Sequence, residues 1–192
     1  MKRVFVYGDS NVWGDNLAGP RVAYHLRWVN RLKRKLAGDY EVIADGVCGR
    51  VAGDYRTDKP YRNGKTSFEA ALKKAGDTDI VIVALGTNDL QQKFGRSADA
   101  ILHDLQWYAN VPGVKTVLYI LPPQFDSESG ASGPEFTSSA QVVRSQLIAQ
   151  QKKLSHAIEI GELELSDGVH LSPAGHKEMF QIVANKLALE NL

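Results

Sequence analysis

Residues 79–89 read Asp-Ile-Val-Ile-Val-Ala-Leu-Gly-Thr-Asn-Asp (DIVIVALGTND). The apolar part is short, continuous and rich in β-branched residues. That is the signature of a strand buried on both faces, as in a parallel sheet. A Gly-Thr-Asn-Asp turn ends it at once. Two more runs share this character, Val4–Tyr7 and Thr116–Leu121. Tyr40–Ala44 is a shorter one, and Ala157–Ile160 alternates apolar and charged residues as an edge strand does.

Helical patterns fill the gaps. Val22, Leu26, Val29, Leu32 and Leu36 follow the helical period, as do Ala98, Ile101, Leu102, Leu105 and Tyr108 behind Ser97 as N-cap. Thr66 and Glu69 have the spacing of a capping box ahead of Phe68, Ala71 and Leu72. Phe136, Ala140, Val143, Leu147 and Leu154 form a further stripe. Ser172-Pro173 opens the last helix, with proline at its first position. Strands and helices therefore alternate five times. The expectation is an α/β chain with one domain over 1–192, a three-layer flavodoxin-like sandwich with a five-stranded parallel sheet in the order 2-1-3-4-5.

Composition narrows the partners. The chain has 192 residues, 43% of them hydrophobic and 23% charged, with a net charge of +1. The densest basic run, Arg31–Lys35, falls in a helical pattern and reads as a solvated face, so no nucleic acid is expected. A single cysteine, Cys48, rules out an intrachain disulfide and suits a reducing compartment. The N-terminal apolar run is too short for a signal-peptide core, and no run approaches the length of a membrane span. A cytoplasmic location with no membrane partner is the expectation. A doubly wound chain of this size is compatible with a homo-oligomer, but no feature selects a subunit number.

Four polar motifs sit where such a sheet forms sites, beyond the carboxyl ends of strands. They are Gly8-Asp9-Ser10, Asp45 to Arg50, Gly86 to Asp89, and Asp167-Gly168-Val169-His170. Each alone reads more readily as ordinary turn or loop chemistry. Together they converge. In the order 2-1-3-4-5 the turns bearing Ser10, Gly49 and Asn88 are neighbours. His170 must come from beyond strand 5, roughly 14 Å away, and the segment from 161 to 169 can extend roughly 30 Å. A carboxylate three residues before a histidine can hold one ring nitrogen while the other faces a nucleophile. His25, His103, His156 and His176 have no such partner pattern and read as structural, with His176 a candidate to pack behind the site.

These four blocks, in this order, resemble the SGNH (GDSL-type) hydrolases, and the stretches Gly8–Gly14 and Glu41–Arg50 look most like their small bacterial arylesterase and acyltransferase branch. The resemblance runs from Val4 to His176. It implies a carboxylic ester hydrolase in which Ser10 attacks an acyl carbonyl, His170 is the base and Asp167 orients it. The oxyanion hole would be the N–H groups of Ser10 and Gly49 and the amide of Asn88. No cofactor and no metal are implied, and the partner is a small-molecule ester. One departure is Asn11, where the family motif has leucine. Asn11, Trp13, Arg50 and Leu90 adjoin the motifs and are candidate pocket-lining residues. The polar loop Asp126–Pro134 (DSESGASGP) is a candidate lid, with an ordinary surface loop as the alternative.

Other readings remain open at this stage. The same site could transfer the acyl group to an alcohol or act on a carbohydrate acetyl ester. The topology would also fit a flavodoxin-like nucleotide or phosphate binder, although no Walker or GxGxxG pattern occurs.

Overall fold

Five parallel strands form the sheet of the computed structural model, which describes residues 1–17, 19–126 and 135–189. They are β1 (Lys2–Gly8), β2 (Tyr40–Gly46), β3 (Ile80–Ala84), β4 (Val117–Ile120) and β5 (Ala157–Ile158). The order is β2-β1-β3-β4-β5, as the alternation of patterns predicts. Register places the future site. Gly8 pairs with Gly46 on one side and Ala84 on the other, so the first three strands end at the same level. Ala84 in turn lies opposite Ile120, and Ile120 opposite Ile158. Their following turns emerge side by side.

The helices are α1 (Ser10–Trp13), α2 (Trp28–Lys35), α3 (Gly64–Ala75), α4 (Ala98–Trp107), α5 (Ser138–Ala149) and α6 (Pro173–Leu189). Alternation along the strands divides the core in two. Phe5, Tyr7, Val81, Val83 and Tyr119 face α3, α4 and α5, meeting Phe68, Leu72, Leu105, Tyr108 and Leu147. Val4, Val6, Ile80, Ile82 and Leu118 face α2 and α6, meeting Trp28, Leu32, Met179 and Val183. Phe68 is the hub of the first half. Its ring stands edge-on to Tyr7 at 5.0 Å and to Tyr108 at 4.9 Å. Fully burying one such ring contributes roughly 2–3 kcal/mol.

Three local expectations need correction. The helix after β1 does not begin at Val22. Arg27 is extended (φ −62°, ψ 137°) and α2 starts at Trp28, whose amide is held by the ring of buried His176 at 3.3 Å. The capping-box reading of Thr66 and Glu69 also fails. α3 starts at Gly64, and the Thr66 amide is capped by Asp54 Oδ1 at 2.9 Å, an acceptor from the preceding loop. Finally, β5 stops at Ile158 rather than Ile160, and the carbonyl of Ile160 accepts from the buried Arg144 guanidinium. The caps at Ser97 and Ser172 are present; Ser172 Oγ accepts from the amides of Ala174 and Gly175. Arg31 and Lys33–Lys35 carry the basic run along a face that is exposed apart from Leu32 and half-buried Arg31. No helix among the described residues is long and apolar enough to cross a membrane. The candidate lid over 126–134 lies, beyond Asp126, outside the described residues.

Candidate active site

Gly8 ends β1 against β3. A side chain there would come within 2.7 Å of the Ala84 carbonyl oxygen and 2.4 Å of Val12, so only glycine permits the turn. Asp9 then caps α1, its Oδ1 accepting from the Asn11 amide at 2.9 Å. The helix carrying Ser10 is a single turn, closed by Gly14 in the left-handed region. One turn supplies little dipole. What Ser10 gains is position: Ser10 is 5% exposed, with its hydroxyl at the carboxyl edge of the sheet.

Ser10 Oγ lies 3.0 Å from Nε2 of His170, across 160 residues of sequence. His170 Nδ1 lies 2.7 Å from Asp167 Oδ2. The other oxygen, Asp167 Oδ1, accepts the amides of Val169 at 3.0 Å and His170 at 2.8 Å. Oδ2 also accepts the Leu17 amide at 2.8 Å. Asp167 is thus fixed by three backbone donors and can carry out one task, presenting an oxygen to the ring. With Nδ1–H donating to that carboxylate, Nε2 is left as an acceptor for the Ser10 hydroxyl proton.

Electrostatics follows from these contacts. Burial lowers the His170 pKa, but the bond and charge of Asp167 and the charges of Asp15 and Asp9 outweigh it, and the net shift is upward. Burial raises the Asp167 carboxyl, but hydrogen bonds from the His170 side chain and backbone and from Leu17 hold it well below the usual range. His176, behind the site, is fully buried and pushed down to about 4, so it stays a neutral acceptor for Trp28.

Gly49 has φ +75°, a conformation that favours glycine, and the Arg62 guanidinium lies over it. Its loop is tied down by Arg56, which donates to the Gly49 carbonyl at 3.0 Å. Asn88 Nδ2 donates to the Arg50 carbonyl at 3.1 Å, and Asn88 Oδ1 accepts from Gln91. One N–H of the Asn88 amide group is left over from this pairing. Asp89 fastens the same two turns together. It is fully buried, its carboxylate receives the Ala52 amide and the Tyr55 hydroxyl, and burial pushes it up to about 6.

Of the four residues beside the motifs, Asn11, Arg50 and Leu90 are buried and Trp13 is exposed. Asn11 is buried, with Oδ1 accepting the Leu171 amide at 3.0 Å and Nδ2 donating to the Val169 carbonyl at 3.4 Å. It bolts the Ser10 turn to the segment on both sides of His170. Arg50 is buried over the Tyr7 ring, with its guanidinium bonded to the Gly8 carbonyl and to Asp45. Leu90 is part of the core. Trp13 is 43% exposed, stacked on Arg21, and lines a groove of about 600 Å³ along β2 of which neither Ser10 nor His170 forms a wall.

Two carboxylates near the base escaped sequence reasoning. In the sequence Asp9 reads only as a turn residue. Asp15 gave no motif signal, yet the backbone returns on itself after Ser10, the Asp15 amide donating to the Ser10 carbonyl at 3.0 Å. That turn sets Asp15 Oδ2 4.0 Å from His170 Nε2. A Gly at position 14, ending a helix just after a serine, was the one available hint.

No protein-family model matches the chain, and no curated protein matches it. Solved structures do. The native M. smegmatis aryl esterase is 23% identical over 100% of both chains, with a TM-score of 0.83. Est24, a carbohydrate acetylesterase from Sinorhizobium meliloti, is 23% identical with a TM-score of 0.82, covering 98% of this chain and 99% of that one. A lipase/acylhydrolase from Enterococcus faecalis is 20% identical with a TM-score of 0.74, over 97% of this chain and 95% of that one. The likeness is one of fold along nearly the whole chain.

Proposed function

We propose that this chain, which shares the SGNH (GDSL-type) hydrolase fold, is a carboxylic ester hydrolase that uses Ser10 as nucleophile. The observation that carries the reading is the Ser10–His170–Asp167 chain of contacts at 3.0 and 2.7 Å. Ser10 Oγ attacks the acyl carbon while its proton passes to His170 Nε2. The carbonyl oxygen becomes an oxyanion, for which the proposed donors are the N–H groups of Ser10 and Gly49 and the Asn88 amide. Each such donor typically contributes about 3 kcal/mol to the transition state. The intermediate collapses as the ester C–O bond breaks and the Nε2 proton moves to the departing alkoxide. Water then repeats the sequence on the acyl-serine, returning the acid and free Ser10.

Asp167 stabilises the imidazolium through both steps. Asp15 and Asp9 add negative charge in the same sense. Labelling with a fluorophosphonate probe tests the assignment. Wild type labels and Ser10→Ala does not; His170→Ala folds and labels at least 100-fold more slowly. Folded wild type that resists the probe removes Ser10 as the nucleophile.

A further inference from the structure

Asp15, like Asp9, takes no part in the mechanism above beyond its field. Its side chain is 29% exposed, and its Oδ2 lies 4.0 Å from His170 Nε2. The Cys48 thiol donates to the same carboxylate and is pushed up to about 12, mainly by burial and then by that bond, so it is a neutral donor and leaves the negative charge in place. The other carboxylates around the base are turned inward. Asp167 has a fully buried side chain filled with backbone donors, and Asp9 is committed to the cap of α1. The nearby cations are bonded to other groups, and of them Arg21 still lies close enough to feel the Asp15 charge. Arg50 is bonded to Gly8 and Asp45, Arg21 is stacked on Trp13 and bonded to its carbonyl, and the Arg62 guanidinium lies over Gly49.

Geometry then constrains the substrate. The leaving oxygen must take its proton from Nε2, so it sits within about 3 Å of that atom. Asp15 Oδ2 is 4.0 Å from the same nitrogen. The two distances together keep the leaving oxygen within roughly 7 Å of the Asp15 carboxylate. Whatever the alcohol half of the ester carries next to that oxygen is therefore exposed to this charge.

Resting on the ester-hydrolase reading, we infer that Asp15 is a specificity-determining residue that favours esters of ammonium-bearing alcohols and rejects esters whose alcohol half is anionic. A carboxylate beside the departing oxygen attracts a cation and repels an anion in the ground state and the transition state alike. The charge of the alcohol half lies beyond the leaving oxygen, so it can sit anywhere from contact with the carboxylate to about 10 Å from it; at a partly exposed site, with solvent discounting the attraction, that amounts to a selectivity of about fivefold in each direction.

The test is a set of acetyl esters of similar shape: acetylcholine, its uncharged isostere 3,3-dimethylbutyl acetate, and the acetyl ester of 3-hydroxypropanesulfonate. kcat/KM is measured for each at low ionic strength, with Ser10→Ala as the blank. The expected order is cation, neutral, anion, with about fivefold steps that shrink in 1 M salt. Asp15→Asn brings all three within about twofold of one another. Asp15→Ser serves the same purpose if the asparagine variant does not fold, and the salt series on wild type needs no variant. A cationic ester no better than its neutral isostere overturns the inference, as do ratios unmoved in the variants. Hydrolysis that proceeds through Ser10 with flat ratios refutes the role of Asp15 alone. Failure of all three esters to turn over through Ser10 overturns both this inference and the proposed function.

Discussion

Asn11→Ala removes a side chain that joins the nucleophile turn directly to both neighbours of His170. The Leu171 amide loses a 3.0 Å acceptor, and the Val169 carbonyl loses a weaker 3.4 Å donor. Asn11 is buried, so water does not readily replace either partner. Leaving a buried amide unsatisfied costs about 2 kcal/mol. In a chain of this length each kcal/mol moves the thermal midpoint by about 2–4 °C, which gives a drop of about 4–8 °C. The catalytic effect is separate. The Ser10 Oγ to His170 Nε2 contact depends on how the loop carrying the imidazole sits against α1, and a misplacement near 1 Å costs up to about 100-fold in rate. The expected result with p-nitrophenyl acetate is a kcat reduced by about 10- to 100-fold with KM within about twofold. Thermal unfolding by circular dichroism reads the first effect and initial rates well below the midpoint read the second. A lowered midpoint with unchanged kcat refutes the positioning role; an unchanged midpoint refutes the strut altogether.

His170 acts as a base only when neutral, and its pKa is raised above the ordinary 6.5, so kcat/KM falls as pH drops through a value above 6.5, and Asp167→Asn shifts that limb downward in whatever activity remains. A pH–rate profile flat from 5 to 8 contradicts this. Gly49→Ala forces a side chain into φ +75° and against Arg62, costing about 1–3 kcal/mol and turning the Gly49 N–H; kcat is expected to fall with little change in KM. Asp89→Ala strands the Ala52 amide and the Tyr55 hydroxyl in the interior. It should lower stability by about 1–3 kcal/mol and kcat with it, whereas a denaturant midpoint equal to wild type would show that Asp89 does not hold the two turns together.

The parts of the site that the chain declares locally are the parts legible in its sequence. Asp167 and His170 are three residues apart, so their pairing is a property of one short loop. The strands announce themselves by apolar runs, and their alternation with helices leads to the sheet order, which sets Gly8, Gly46 and Ala84 level. Ser10, Gly49 and Asn88 fall into neighbouring turns for that reason alone. Asn11, Arg50 and Leu90 adjoin the motifs in sequence, which makes them candidates for pocket lining. Each is buried because partners supplied by distant segments fill its surroundings: Leu171 and Val169 for Asn11, Gly8 and Asp45 for Arg50, the core around α4 for Leu90. Capping at Thr66 was misread for a similar reason, since its amide is satisfied by Asp54 from outside the helix.

Sequence alone therefore determined the class of fold and which turns converge, because hydrophobic period and strand order are short-range patterns summed along the chain. Only the tertiary structure decided that Ser10 and His170 meet at 3.0 Å across 160 residues, and that Asp15 stands beside the same nitrogen. Those distances arise from how the loops after β1 and β5 pack on one another, and hydrogen bonds between segments far apart in sequence leave no periodic trace in it.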